Sequence, residues 1–191
     1  MSHEAQKKFE DYVYVLDYMA HGKMGGSRQP FRSEPLVQLL GENYFTLLEA
    51  IPLGGINITL HERLYIGKDL SREKISHILG RINYEDLSST AKTELPPAVD
   101  DIVIKNEERF VKFFNTTEAV TPRMHSLELI PGIGKKYTWT ILRAREQKPL
   151  LSFEDIKNRT GLPDPAKLIA KRIVEELIEK EPKYRLFTRA P

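Results

Sequence analysis

The segment 127–142 (LELIPGIGKKYTWTIL) places two glycines, one residue apart, between two stretches with a helical pattern. Gly132 and Gly134 can adopt positive φ angles and allow another molecule to come close to the backbone. Ile133 lies between them and is predicted to point inward, where it holds the flanking helices together. The segment therefore predicts a tight turn between two helices, and with it a helical domain.

The second helix of this segment is predicted to begin at about Gly134 or Lys135. The first N–H groups of a helix have no partner inside it, and together with the helix dipole they form a site for anions. Lys135 and Lys136 add two positive charges at the same place. The sequence therefore predicts a phosphate-binding site at Gly132, Ile133, Gly134, Lys135 and Lys136.

This segment resembles the helix-hairpin-helix family, whose hairpin has the pattern apolar-x-Gly-x-Gly-apolar or cationic. The match lies at Ile130, Gly132, Ile133, Gly134 and Lys135. The resemblance implies that the hairpin amides hold a backbone phosphate, usually of DNA, and that hairpin carbonyls can bind a monovalent cation. No other cofactor is expected. A second helix-turn-helix layout follows over 152–180, and it is expected either to be a degenerate hairpin that orients the first or to be an ordinary helical hairpin.

Positive charge is concentrated around the hairpin. The whole chain has a net charge of +2, but residues 1–95 carry −2, residues 96–191 carry +4 and residues 121–172 carry +6. Phosphate binding requires such a concentration of cations. Arg143 and Arg145, one to two turns beyond the hairpin, are therefore predicted to follow a nucleic-acid strand.

Aromatic side chains are a second means of holding unpaired nucleic acid, because bases stack on them. Trp139, the single tryptophan, lies beside Ile141 and Leu142 in the second helix of the hairpin, and these apolar neighbours favour core packing over base stacking. Tyr12 and Tyr14 are likewise expected to fill a core. The better candidate for a further contact is the glycine-rich loop 20–35, which carries Lys23, Arg28 and Arg32.

The first half of the chain predicts about five short strands, at 11–18, 36–40, 44–51, 63–66 and 75–82. Such strands favour a small, closed or nearly closed β-barrel, since an open sheet of this size would expose its edges. The second half predicts helices at 84–95, 98–114, 123–130, 135–147, 152–159 and 164–180, with a break at Pro96–Pro97. The predicted fold class is α+β: an OB-like β-barrel with a trailing helix in residues 1–95, then an all-α helix-hairpin-helix domain in residues 96–182. The basic and aromatic tail 183–191 is predicted to be an edge strand or a loose arm.

The whole chain resembles an archaeal family of uncharacterised proteins, the domain of unknown function 655, whose members are described only as predicted nucleic-acid-binding proteins. The resemblance is carried by 62–67 (ERLYIG) and 80–95 (GRINYEDLSSTAKTEL) in an OB-like or TRAM-like barrel, followed by the hairpin. It implies an archaeal, cytoplasmic protein with a link to translation or ribosome biogenesis. It transfers no catalytic residues.

The residues do not indicate an enzyme. Lys135 and Asp155 have the spacing of a helix-hairpin-helix glycosylase, but Asp155 follows the helix cap Ser152 and is a normal helix-start carboxylate. The five histidines show no metal-ligand spacing and cysteine is absent. No metal site is therefore expected, and no apolar run is long enough for a membrane span or a signal peptide.

The sequence thus predicts a non-catalytic protein that binds the phosphate backbone without reading bases. The barrel and the family resemblance slightly favour RNA, whereas the hairpin taken alone favours DNA. Two alternatives stay open: a protein-interaction scaffold with partners unknown, and a DNA-binding accessory factor in repair or recombination.

Overall fold

The structure, a computed structural model, describes residues 9–23 and 33–189. Its described residues form an α+β fold with one curled, five-stranded antiparallel sheet, a small two-stranded hairpin and five α-helices. The chain divides into two compact units, Met1–Leu95 with Arg189–Pro191, and Pro96–Thr188. Each unit contains its own set of fully buried apolar side chains.

Five strands form the sheet of the first unit, each close to its predicted position. They are β1 (Tyr12–Met19), β2 (Leu36–Gly41), β3 (Leu47–Pro52), β4 (Arg63–Tyr65) and β5 (Ile75–Arg81). β3 begins later than predicted because Tyr44 lies in the turn after β2. The buried carboxylate of Glu10 accepts hydrogen bonds from the amides of Tyr44 (2.9 Å) and Thr46 (3.2 Å) and holds that turn.

The order of the strands in the sheet is β4-β1-β2-β3-β5, and every neighbouring pair is antiparallel. β4 returns to the outer side of β1, which is the Greek-key arrangement. Within the described residues β4 and β5 do not pair with each other. The sheet is therefore a curled half-barrel, and the closed form of the predicted closed or nearly closed barrel is not formed among these residues.

Both faces of the sheet are covered, because β2 is buried along its whole length. One face carries a cluster of valine, leucine and isoleucine side chains that includes Val15 and Leu39. On the other face the buried Gln38 amide donates to the carbonyl of Asp86 (3.0 Å) and accepts from the amide of Ser88 (2.8 Å). The predicted helix at 84–95 therefore begins as a separate 3-10 turn, Tyr84–Asp86, which covers this face.

Five α-helices follow in the chain: α1 (Ser89–Lys105), α2 (Glu107–Thr116), α3 (Lys135–Gln147), α4 (Phe153–Thr160) and α5 (Pro165–Ile178). The predicted break at Pro96–Pro97 is wrong, because α1 continues through both prolines. Both prolines are exposed while Leu95 and Val99 are buried, so the carbonyl groups that lack a helical donor can be hydrated. The helix is interrupted at Asn106 instead, where φ is −113° and ψ is 35°.

The segment before the glycine-rich turn also differs from the prediction. Instead of a helix over 123–130 the chain forms a two-stranded hairpin, β6 (Ala119–Thr121) with β7 (Met124–His125). One 3-10 turn follows at Ser126–Leu129. The hydroxyl and the amide of Ser126 both donate to the carbonyl of Glu118, and this closure of the hairpin leaves too few residues for an α-helix.

The described part of the tail is neither a strand nor a loose arm, so that prediction is wrong. The carboxylate of Glu176, which is 1% exposed, accepts hydrogen bonds from the amides of Leu186 (2.7 Å), Phe187 (3.2 Å) and Thr188 (3.0 Å). The ring of Phe187 packs against that of Phe110 with their centroids 5.7 Å apart. The tail is therefore fixed on α5 by one buried side chain.

Candidate nucleic-acid interface

The glycine-rich turn connects the 3-10 turn to α3. Gly132 has a φ of +89°, and a Cβ atom there would lie 3.1 Å from the Cδ2 atom of Leu168. Ile133 is 3% exposed and its amide donates to the carbonyl of Ile130 (3.0 Å). The predicted inward position of Ile133 is therefore confirmed, and Gly132 uses the positive φ that a glycine allows.

Gly134 does not use the positive φ that a glycine allows, but its surroundings are open. Its φ is −89° and its ψ −174°, an extended conformation that any residue can adopt. A Cβ atom built at Gly134 meets no other atom within 4 Å. The missing side chain therefore leaves open space in front of the backbone where α3 begins.

The first amides of α3 face this open space. Gly134 is the N-cap residue and provides no side-chain acceptor, and the first helical hydrogen bond runs from the amide of Thr138 to the carbonyl of Gly134 (3.0 Å). Within the described part of the chain, the amides of Lys135 and Lys136 donate to no acceptor. Exposed donors at a helix start attract an anion, because the helix dipole places partial positive charge there.

Three of the predicted cations lie together on the exposed surface of α3. Lys135, Lys136 and Arg143 are exposed, and none of their side chains has a partner among residues 9–23 and 33–189. Arg145 does not belong to this group, which corrects the prediction. Its guanidinium donates to the carbonyls of Phe114 (3.0 Å) and Thr117 (2.8 Å), so it closes the end of α2.

Trp139 is 68% exposed, so the predicted core position is wrong. The buried side of α3 is formed by Thr138, Ile141 and Ala144. These three residues set the rotation of the helix, and Trp139 falls on the opposite side. The sequence signal that could have located it is the spacing of four residues to Lys135 and to Arg143.

The 3-10 turn before the hairpin depends on His125. Its Nδ1 atom accepts a hydrogen bond from the amide of Leu127 (3.1 Å), and its own amide donates to the Glu128 carboxylate (3.0 Å). Burial lowers the pKa of His125 below the usual 6.5, the positive charge of Arg145 lowers it further, and Glu128 acts in the opposite direction. The fold therefore favours the neutral imidazole, which is the form that can accept the Leu127 hydrogen bond.

The second turn, over 161–165, leads into a helix that is capped by a side chain, unlike the first. Asp164 caps α5, and its carboxylate accepts a hydrogen bond from the amide of Lys167 (3.1 Å). Pro165, the first residue of α5, has no amide hydrogen to donate. A carboxylate therefore already occupies the position that an anion would take.

Asp155, the carboxylate of the glycosylase-like spacing, has structural contacts at the start of α4. The amide of Asp155 donates to the hydroxyl of Ser152 (3.0 Å), and the Asp155 carboxylate accepts from the amide of Leu151 (3.0 Å). The hydrogen bond from Leu151 is the main cause that lowers the pKa of Asp155, and Arg159, 3.2 Å away, lowers it further. Asp155 is thus the helix-start carboxylate that the sequence predicts.

The predicted contacts of the loop 20–35 are only partly described. Arg28 and Arg32 lie outside the described residues. Lys23 is in an ion pair with Glu49 (3.2 Å) and also donates to the carbonyl of Asp86 (2.6 Å). This corrects the prediction for Lys23, because its ammonium group is used inside the first unit.

The first unit contains a cavity of about 390 Å³. Leu48, Ile66 and Ile78 contribute apolar side chains to its lining. The connection between β4 and β5 contributes Lys68 and Arg72. Glu10, Asp11 and Asp69 also line it, so the cavity combines an apolar lining with charged side chains of both signs.

Two features are absent from residues 9–23 and 33–189. No group of three or more His, Cys, Asp or Glu residues within them could hold a metal ion. None of their helices has the length and apolar character needed to cross a membrane.

The fold and the site define the chain as an α+β protein whose helical unit exposes a cationic turn. It belongs to the family described as "Protein of unknown function (DUF655)", whose model matches residues 9–189. It is 47% identical over 184 residues to the uncharacterised protein MJ0038 of Methanocaldococcus jannaschii. The matched region is 96% of this chain and 82% of that protein. It is also similar to the crystal structure of Af1531 from Archaeoglobus fulgidus, with a TM-score of 0.84 and 45% identity over 94% of this chain and all of that chain. The predicted resemblance to an uncharacterised archaeal family is thereby confirmed.

Proposed function

We propose that this protein binds nucleic acid through its glycine-rich turn, acting as a helix-hairpin-helix that holds a backbone phosphate. The observation that carries the proposal is the pair of open amides at Lys135 and Lys136. Both lysines add a full positive charge beside these amides, and Gly134 leaves the approach clear. Hydrogen bonds from amides to an ionised phosphate are stronger than neutral ones, and the dipole of α3 adds to them.

Such a site is independent of base sequence, because phosphate contacts position a protein on nucleic acid without carrying sequence information. Lys135, Lys136 and Arg143 are the cations available at the surface of α3. Neutralising about three phosphates corresponds to a slope of log K against log salt of roughly −2 on single strands and −3 on duplexes. The proposed role is binding and not catalysis.

The curled sheet of the first unit is proposed to be an OB-like barrel that provides a second contact surface. OB folds are partly open Greek-key barrels that bind oligonucleotides with two of their loops, those after the first and the fourth strand. In this chain the first of these loops carries Arg28 and Arg32, and the other carries Lys68 and Arg72 at a cavity. The barrel and the family resemblance slightly favour RNA over DNA as the ligand. If the ligand is RNA, the proposed role is in translation.

Charge reversal at the turn tests the proposal. In the full chain, Lys135→Glu with Lys136→Glu is expected to weaken binding to RNA and DNA probes of unrelated sequence alike. The matched control is Lys112→Glu with Lys171→Glu, because both lysines are exposed residues of other helices in the same unit. Both double variants have the same net charge, so a difference between them reports the site and not general attraction.

Binding is measured by fluorescence anisotropy of labelled probes at several salt concentrations. We expect the turn variant to lose affinity and the control to stay close to the wild type. Equal affinity of the wild type and the turn variant at moderate salt contradicts the proposal. Absent or salt-insensitive binding of the wild type would instead favour the protein-interaction scaffold. A preference for damaged or branched DNA would favour an accessory factor in repair or recombination.

A further inference from the structure

α3 carries one continuous stripe of exposed side chains. Lys135, Trp139 and Arg143 follow one another at intervals of four residues, so they lie along one side of the helix. Lys136 is three residues before Trp139 and borders the same side. All four residues are exposed, and Trp139 is 68% exposed. The stripe is therefore an aromatic surface with cations one helical turn to either side.

The folded unit makes little use of Trp139. Tryptophan is highly buried on average, because its large apolar ring stabilises a core more than most side chains do. On α3 the buried side is already formed by Thr138, Ile141 and Ala144. When a tryptophan is left on the surface beside an otherwise complete packing face, binding to another molecule is the role that its ring can still serve.

The surroundings of Trp139 indicate the charge of that molecule. Side chains of a helix lean towards its N-terminus, so we expect Trp139 to lean towards Lys135 and the open amides, and Arg143 to lean towards Trp139. The nearest acidic residue on this side of α3 is Glu146, beyond Arg143. The ring therefore lies in a positive surrounding that attracts a polyanion.

We propose that Trp139 stacks on an unpaired base of the strand whose phosphate is bound at Lys135 and Lys136. This inference rests on the proposed function and adds the state of its ligand, which is single-stranded or locally unpaired nucleic acid. In a duplex both faces of a base are covered by its neighbours, and reaching one requires unstacking. An unpaired base presents its faces freely to an aromatic side chain.

The chain contains one tryptophan, so fluorescence excited at the long-wavelength edge of the absorption, where its tyrosines do not absorb, reports Trp139 alone. The full-length protein is titrated at low salt with an oligouridine of about 20 nucleotides, longer than typical binding sites of about 4 to 16 nucleotides. A blunt RNA duplex of the same length is the second probe. We expect saturable quenching by the single strand, weaker quenching by the duplex, and tighter binding of the single strand.

Substitution of Trp139 separates stacking from phosphate binding. Trp139→Ala is expected to weaken binding of the single strand by about 5- to 150-fold, the range measured for loss of one aromatic stacking platform. Trp139→Phe keeps a ring and is expected to retain most of the affinity. The matched control is Leu151→Ala, because Leu151 is a 66% exposed apolar residue in the same unit outside the stripe. Its affinity is expected to equal that of the wild type.

The outcomes distinguish this inference from the proposed function. Trp139→Ala binding the oligouridine as tightly as the wild type overturns the inference, as does unchanged Trp139 emission when anisotropy shows a labelled strand to be saturated. Tighter wild-type binding to the duplex than to the single strand also overturns it. If Lys135→Glu with Lys136→Glu still loses affinity in these cases, the proposed function stands. If that variant binds as the wild type does, both proposals fall.

Discussion

The Nη1 atom of Arg145 lies 2.8 Å from the carbonyl oxygen of Thr117, so this arginine connects α3 to the end of α2. Arg143, two residues earlier on the same helix, is exposed and has no partner among the described residues. A cation near the C-terminus of a helix stabilises it by binding its last carbonyl groups. The two arginines, which the charge pattern groups together, therefore have different physical roles.

We expect alanine substitutions of these two arginines to affect different quantities: stability for Arg145 and nucleic-acid binding for Arg143. Arg145→Ala removes charged hydrogen bonds to two carbonyls and is expected to lower the free energy of unfolding by about 1.5–3 kcal/mol. Arg143→Ala is expected to change stability by less than about 0.5 kcal/mol but to reduce the salt slope of nucleic-acid binding by about 0.7–0.9. Urea unfolding and binding at several salt concentrations measure the two quantities. The assignment is wrong if Arg145→Ala alters the slope and Arg143→Ala does not.

The strands and most helices could be predicted from the sequence, because their signals are local. β-Branched and aromatic residues predict β1, short runs between turn residues predict the later strands, and Asp164 followed by Pro165 predicts the start of α5. The continuation of α1 through Pro96 and Pro97 could not be predicted in this way, since a proline usually breaks or kinks a helix by removing a hydrogen bond and crowding the preceding turn. Whether a helix tolerates this depends on its surroundings, which local sequence does not fix.

The second prediction concerns the two glycines of the turn, which have different backbone conformations. Gly132→Ala places a Cβ atom at a φ of +89° and 3.1 Å from Leu168. It is expected to cost about 1–3 kcal/mol of stability, because left-handed backbone is strained for alanine. Gly134→Ala extends into open space and is expected to change stability by less than about 1 kcal/mol, since alanine is a poorer cap but reduces the entropy of the unfolded chain.

For nucleic-acid binding we expect the larger effect at Gly134 and not at Gly132, if Gly134 forms the approach to the phosphate. The methyl group of Gly134→Ala is expected to weaken nucleic-acid binding about tenfold, which corresponds to the loss of roughly one charge-assisted hydrogen bond. Thermal unfolding and anisotropy of a labelled oligonucleotide provide the two measurements. A Gly134→Ala protein that folds and binds as the wild type does would show that the open amides are not the contact.

The candidate site was only partly predictable, because the rotation of α3 decides which side chains reach the surface. The glycine pattern and the two lysines locate the turn itself. Trp139 and Arg145 both follow Lys135 within three turns, but the buried stripe through Ile141 turns Trp139 outward and Arg145 towards α2. When a helix packs on one side only, a rotation by a single residue position changes which side chains are buried and which are exposed.

The third prediction is a pH dependence at His125. Its pKa is lowered in the fold, first by burial and then by Arg145, while Glu128 and Glu118 raise it. The neutral form therefore contributes stability that is fully present above the unfolded pKa of about 6.5 and is lost as the pH falls through the lower folded pKa. Protonation of Nδ1 also removes the acceptor for the Leu127 amide.

His125→Asn tests this dependence, because asparagine can accept the same amide hydrogen bond without titrating near neutral pH. The midpoint of urea unfolding is compared at pH 7.5 and pH 5. We expect the wild type to lose stability relative to the variant on acidification. The other histidines are present in both proteins, so their contributions to the pH dependence cancel in the comparison. A constant difference between the two proteins over this range would exclude His125 as the titrating group.

The last prediction concerns Glu176, whose buried carboxylate binds the tail. It accepts hydrogen bonds from three amides and from the hydroxyl of Thr188 (2.8 Å), and it pairs with Arg172 (2.9 Å). Glu176→Ala leaves these donors and the guanidinium without an acceptor, and it is expected to lower the free energy of unfolding by about 3–5 kcal/mol. Glu175→Gln on the same helix is the control, expected within about 0.5 kcal/mol of the wild type.

Glu176→Gln gives an intermediate test with a local readout. Glutamine keeps one acceptor oxygen but directs an NH₂ group at backbone donors, so we expect a smaller loss of stability with faster hydrogen exchange at the amides of residues 186–188. The exchange rates matter because Phe187 packs on Phe110, so release of the tail also uncovers the core of the second unit. If Glu176→Gln and Glu176→Ala leave these amides protected, the tail is held by the packing of Phe187 and not by the carboxylate.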